Sequence, residues 1–135
     1  MIKPYLYIAS SPGRGRGVFT KEDIRARTVL EVAPVIVMSP KDRKIIDQTL
    51  LHDYIFEWGE TNRQACLALG FVSLYNHSYS SNCEYEMEYD KMIITIRAVR
   101  SIKNGEELFI NYNGSWNNQT SLWFDVKKPV TQGDD

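Results

Sequence analysis

Three groups of residues along this chain have the types and spacing to do chemistry. Gly13-Arg14-Gly15-Arg16-Gly17 exposes backbone amides that no side chain shields, so it can approach a ligand closely or cradle an anion. A plain hairpin turn is the alternative, because the pattern alone is neither a dinucleotide fingerprint nor a phosphate loop. Asn76-His77-Ser78, followed by Ser81-Asn82, offers donors and acceptors suited to the edge of a heterocycle, or equally to capping a turn. Glu106-Glu107-Leu108-Phe109-Ile110-Asn111-Tyr112 is a β-prone run ending in tyrosine, which by itself reads as an edge strand with a core ring. Cys66, Cys83, His52 and His77 include no close Cys-x-x-Cys or His pair, so no metal site is expected and the cysteines read as buried thiols.

The elements that must position these groups are mostly strands. The run Tyr5-Leu6-Tyr7-Ile8-Ala9, the glycine-rich loop and Val18-Phe19 read as strand, tight turn and strand. Thr28-Val29-Leu30-Glu31-Val32 and Val35-Ile36-Val37-Met38 read as two short strands broken by Pro34. Ser39-Pro40-Lys41-Asp42 has the marks of a helix start, and Ile46, Leu50, Tyr54 and Trp58 recur every fourth residue, which predicts one helix running to Trp58. The apolar stretch 65–75 is buried but of open type; a strand, a turn at Gly70 and a short helix would satisfy it. Alternation from Glu84 to Tyr89, a turn at Asp90-Lys91 and the run from Met92 to Ile96 predict a hairpin.

Composition limits what these elements can build. With 135 residues, 43% hydrophobic and 24% charged, the chain fits one soluble globular domain, and surface scaling at this size buries roughly two-thirds of the unfolded area. A net charge of -1 argues against a dedicated nucleic-acid binder. No apolar run reaches membrane-spanning length and the start lacks a basic-then-apolar leader, so an intracellular protein without a membrane partner is expected.

The order of the motifs is more specific than any one of them. Gly15-Arg16-Gly17-Val18-Phe19, Asp53-Tyr54-Ile55-Phe56, Leu74-Tyr75-Asn76-His77-Ser78 with Asn82, and Gly105-Glu106-Glu107-Leu108-Phe109-Ile110-Asn111-Tyr112 resemble the successive motifs of the SET-domain protein lysine methyltransferases, in their minimal, zinc-free form. The resemblance implies a mainly β fold with some α: small curved sheets, a threaded C-terminal segment and one or two short helices. It implies S-adenosylmethionine as cofactor and a protein or peptide lysine as substrate, with a histone-like protein among the candidates. Gly15, Arg16, Gly17, Asn76, His77 and Tyr112 match cofactor-binding positions, with Trp116 expected to help wall the site. Tyr112 matches the tyrosine nearest the transferred methyl, with Tyr54 as a second catalytic candidate. Tyr54, Tyr75, Ile110 and Tyr112 are the expected substrate channel. A peptide-binding module that keeps the fold without turnover is the alternative.

Departures from the family pattern are Ser81 where a proline is frequent, Asn111 where an aspartate is frequent, and Ile110 where a ring often limits room around the amine. The implied SET domain spans residues 1–126, and residues 127–135 are expected to be a disordered tail. A cytoplasmic location is expected, or a nuclear one for a protein acting on chromatin. Trp116, Trp123 and Phe124 are expected to fold onto the channel, build a homodimer contact or plug the core.

Overall fold

The turn through Gly13 and Gly15, both at positive φ, folds Leu6–Ser11 (β1) back on Gly15–Thr20 (β2) in antiparallel register from Leu6 opposite Thr20 to Ser11 opposite Gly15. Glycine is needed there because left-handed backbone is strained for other residues. This is a computed structural model, and it describes residues 1–112. The implied boundary at 126, the tail and the roles given to Trp116, Trp123 and Phe124 lie outside the described residues.

Val29–Met38 (β3) is one ten-residue strand rather than two short ones. Up to Pro34 it pairs with Ile93–Ala98 (β8), and from Val35 it pairs with Gln64–Ala68 (β5). Pro34 sits where the strand changes partner, so its missing N–H breaks no ladder there, while its carbonyl still accepts from Leu69 N–H at 3.0 Å. Phe56–Trp58 (β4) and Cys83–Glu88 (β7) complete a sheet of order β4-β5-β3-β8-β7. The β7–β8 hairpin forms where the alternation predicts it, from Cys83 opposite Ala98 to Glu88 opposite Ile93.

The expected long helix is the main correction. Pro40–Ile46 (α1) begins as read, with Ser39 Oγ accepting from Asp42 N–H at 3.1 Å, but it ends after seven residues. Thr49 is the reason: its hydroxyl donates to Ile46 O at 2.7 Å and accepts from Leu51 N–H, closing one helix and opening a 3-10 turn over Leu50–Tyr54. The four-residue spacing never builds a buried face, since Leu50 is 77% exposed, and Trp58 instead belongs to β4. The stretch left open resolves into β5, a turn at Gly70 and a 3-10 turn over Val72–Leu74.

Buried side chains from both sheets, among them Val18, Leu30, Ile94, Ile96, Leu108 and Ile110, form one core. Cys66 and Cys83 are free thiols within it, and burial pushes Cys66 up to about 12. Among the described residues no helix is long and apolar enough to cross a membrane.

Candidate active site

Glu107–Ile110 (β9) is an interior strand, not the edge strand that its sequence suggests. It pairs antiparallel with β2 through Leu108 and Glu107, and parallel with Asn76–His77 (β6), Asn76 facing Phe109 and His77 facing Ile110. That sandwiching unites three motifs dispersed along the chain. Asn82 locks it: its amide donates to Glu107 O at 2.9 Å while its side-chain oxygen accepts from Phe109 N–H at 2.8 Å.

Asn76 extends its amide from β6 to Arg16 O at 3.0 Å and to Glu107 Oε2 at 2.7 Å, and Ser11 Oγ donates to Glu107 Oε1 at 2.7 Å. Both amide hydrogens of Asn76 are thereby committed, which leaves its carbonyl oxygen for a ligand's donor. Gly17 is glycine for a steric reason: a Cβ there would run into the Glu107 carboxylate and lie 2.8 Å from Asn76 Nδ2. Gly15 has open space around it, and its positive φ serves the turn.

His77 is 3% exposed, and its Nδ1 accepts from Tyr112 N–H at 3.1 Å. That bond assigns the proton of the neutral ring to Nε2, which is buried and meets no hydrogen-bond partner among the described residues. Burial first, then the Arg14 guanidinium, lowers His77 to about 4, so the ring is neutral at physiological pH. Tyr79 stands edge-on to it, with ring centroids 4.3 Å apart.

Tyr112 donates its hydroxyl to Tyr75 O at 2.8 Å. Burial, then the neighbouring Tyr85 and Tyr54, holds this phenol far above its ordinary pKa. Tyr54 is half-buried beside it, its carbonyl accepting from Ser73 Oγ at 2.8 Å. Tyr75 and Ile110 are fully buried members of the core, and the Tyr75 phenol points to Glu31 at 3.3 Å. The structure thus gathers Gly17, Arg16, Asn76, His77 and Tyr112, with Tyr54 near.

Arg14, Glu107 and Asn82 fall inside the motifs read from the sequence, which give none of them a role of its own. Arg14 lies over the Phe109 ring, 5.0 Å from its centroid, and its charge acts on both His77 and Tyr112. A cation between two glycines was the available signal. The departures are accommodated: Asn111 donates to Tyr79 O at 3.3 Å, which an aspartate could not do, and Ser81 Oγ donates to Cys83 O at 2.7 Å.

Comparison with known proteins agrees with this geometry. The SET domain family model matches residues 15–113. A Schizosaccharomyces pombe protein named "Histone-lysine N-methyltransferase, H3 lysine-37 specific" is 33% identical over 126 residues, 93% of this chain and 80% of that one. A Plasmodium falciparum structure superposes with a TM-score of 0.61 at 27% identity, covering 85% of this chain and 98% of the other. The Chaetomium thermophilum Polycomb Repressive Complex 2 in its humanized, GSK343-bound form shares the fold, with a TM-score of 0.67 at 22% identity over 79% of this chain and 15% of that one. Fold and site together define a SET domain. The chain belongs to the SET-domain family, and by that membership it is a protein-lysine methyltransferase; the reading as a module without turnover falls away.

Proposed function

We propose that the methyl donor is S-adenosylmethionine, held by Gly15, Arg16, Gly17, Asn76 and His77, and that the acceptor is a lysine of a histone-like protein. The carrying observation is the parallel pairing of β6 with β9, which delivers Asn76, His77 and Tyr112 to one place. The residues fit the cofactor on their own chemistry. His77 offers a buried Nε2–H with no partner among the described residues, Asn76 a carbonyl oxygen suited to an ammonium, Gly15 an exposed backbone with open space around it, and Arg14 a positive charge suited to a carboxylate. When bound, the cofactor supplies an electrophilic methyl on a cationic sulfur.

The chain's own residues then orient the partners and exclude water. A lysine at its ordinary pKa costs about 4.6 kcal/mol to neutralise at pH 7, and a poorly hydrated channel near a second cation lowers that cost. Tyr54, Ile110 and Tyr112 are the proposed walls, while Tyr75, expected among them, turns its phenol to Glu31 in the core and offers only its backbone carbonyl to Tyr112. Tyr112 stays protonated and donates its hydroxyl hydrogen bond to Tyr75 O, so it is not the base; the hydroxyl oxygen orients a polarised methyl through C–H···O contacts. The aliphatic Ile110, where relatives often place a ring, leaves room for a second or third methyl. A histone-like substrate would place the enzyme on chromatin, and a cytoplasmic substrate would keep it in the cytoplasm.

The test combines calorimetry with S-adenosylmethionine and S-adenosylhomocysteine, without added metal, and methylation of a histone peptide array read by mass spectrometry. Binding of both compounds and a di- or trimethylated lysine is the expected result. No binding at millimolar concentration removes the cofactor assignment, and transfer only to non-histone proteins removes the substrate class.

A further inference from the structure

Glu31 is a carboxylate at 0% exposure within the apolar run of β3, and nothing in the transfer chemistry described above uses it. Its Oε2 accepts from Phe71 N–H at 2.7 Å and its Oε1 takes the Tyr75 hydroxyl at 3.3 Å. These partners stand at the two ends of the Val72–Leu74 turn, so one carboxylate ties down both. Gly70, at positive φ, is the residue that admits it, because a Cβ there would collide with Glu31 Oε2. At the far end of Tyr75 its carbonyl receives the Tyr112 hydroxyl at 2.8 Å, and the next residue is Asn76. A filler for this space need not be ionisable, and an apolar side chain would avoid the desolvation cost of a carboxylate.

We propose that Glu31 is a positioning residue for methyl transfer: by gripping the phenol of Tyr75 it sets the Tyr75 carbonyl that in turn orients the hydroxyl of Tyr112. The inference rests on Tyr112 acting at the methyl. Ionised Glu31 accepts both hydrogen bonds, whereas the protonated form gives up acceptor strength and loosens the grip. Burial brings Glu31 up to about 7, against the opposing pull of Phe71 N–H, the Tyr75 hydroxyl and the Met1 ammonium, so the two forms exchange across neutral pH. Around it, β8 contributes the apolar Ile96 directly opposite, the N-terminal segment contributes Ile2 and the Met1 ammonium, and the end of the Val72–Leu74 turn contributes the Tyr75 phenol. Turnover therefore rises with pH as Glu31 ionises.

Glu31→Gln keeps the shape and fixes the neutral state. The Phe71 amide resonance should titrate in the wild type and not in this variant. At saturating cofactor and peptide the ratio of wild-type to variant kcat should climb about tenfold from acid to alkaline pH, with calorimetric affinity for S-adenosylhomocysteine held within about twofold. A ratio that stays flat across pH overturns the inference, and so does an equal loss of kcat and cofactor affinity, which marks a loosened fold. Tyr75→Phe carries the same test should the first variant not fold, because it deletes the gripped phenol and keeps the carbonyl; unchanged kcat in that variant overturns the inference too. Tyr112→Phe separates this idea from its foundation. Full activity there defeats the role of Tyr112 itself, while an impaired Tyr112→Phe beside a flat ratio defeats only Glu31.

Discussion

The backbone N–H of Tyr112 donates to Nδ1 of His77 across 3.1 Å, although 35 residues separate them in sequence. One bond does three things. It assigns the ring proton to Nε2, it ties the end of β9 to β6, and it fixes the backbone from which the Tyr112 hydroxyl reaches Tyr75. A protonated His77 would have no acceptor left at Nδ1, so the arrangement requires the neutral ring.

Acid should therefore unfold the protein partly through His77. Its pKa falls from 6.5 in the unfolded chain to about 4 in the fold, so the unfolded state binds the proton more readily between those values. The stabilisation is complete above the unfolded value and is lost as pH falls through the folded one, roughly 3 kcal/mol in all. His77→Asn keeps an acceptor for Tyr112 N–H without a titration. Denaturant melts of both proteins from pH 7 to pH 4 should show the wild-type advantage shrinking; a constant difference would count against the buried neutral imidazole.

Glu31 works in the opposite sense. Its pKa rises from 4.5 to about 7, so its burial is tolerated in full below the lower value and stability declines as pH rises through the upper one. Glu31→Gln should gain on the wild type above neutrality by up to roughly 3 kcal/mol and converge with it in acid. Chemical denaturation at pH 5 and pH 8.5 measures the difference, and equal stability offsets at both would show that the carboxylate is not desolvated.

Tyr112→Phe should bind S-adenosylhomocysteine within a few-fold of the wild type yet turn over roughly 10²-fold more slowly, since the hydroxyl acts at the reacting methyl. Calorimetry and initial rates separate the two quantities. Parallel losses in both would recast Tyr112 as a cofactor-binding residue.

Local features of this fold were legible in the sequence and long-range ones were not. The β7–β8 hairpin follows from alternation with a turn between, and the Gly13 and Gly15 turn follows from composition, because each depends on neighbours in the chain. Leu50, Tyr54 and Trp58 keep helical spacing beyond Ile46, yet the hydroxyl of Thr49 stops the helix, so the spacing extends the expected helix past its real end. The insertion of β9 between β2 and β6 depends on a parallel pairing of Asn76 with Phe109, which no local pattern encodes. Family-like motif order pointed to Asn76, His77 and Tyr112, but it said nothing of the carboxylate of Glu31, which stands out in its apolar strand only once Phe71 and Tyr75 are seen to face it.

Gly17→Ala should be harmful where Gly15→Ala is only strained. The added methyl at position 17 meets the Glu107 carboxylate and Asn76 Nδ2, so Glu107 or Asn76 must move. Overpacking of this kind costs about 1–3 kcal/mol, and displacement of Asn76 should weaken cofactor binding at least about tenfold. At position 15 the methyl finds open space and the cost is the positive φ alone, about 1 kcal/mol. Melting curves with cofactor titrations decide the matter, and a Gly17→Ala protein with normal affinity would mean either that Glu107 yields while Asn76 stays or that Asn76 does not hold the cofactor; Asn76→Ala, which leaves Gly17 intact, separates the two.

Asn82 should prove as important to the site as residues that face it. It lies in the turn between β6 and β7, and three bonds converge on it: its amide to Glu107 O, Phe109 N–H to its oxygen, and Val99 N–H at 2.9 Å to its backbone carbonyl. The two side-chain bonds grip β9 in the stretch that opposes Asn76, on a residue that is 2% exposed. Asn82→Ala would leave a strand donor and a strand acceptor unpaired inside the protein, a loss of about 1–3 kcal/mol for each group. Asn82→Asp keeps the acceptor for Phe109 N–H but turns a second oxygen toward Glu107 O, so it should fall between the two. Because β9 leads directly to Tyr112, both variants should lose turnover beyond what their remaining folded fraction explains. Folded fraction from denaturation and kcat per folded molecule are the measurements; an Asn82→Ala enzyme with full activity per folded molecule would show that β9 keeps its place without this side chain.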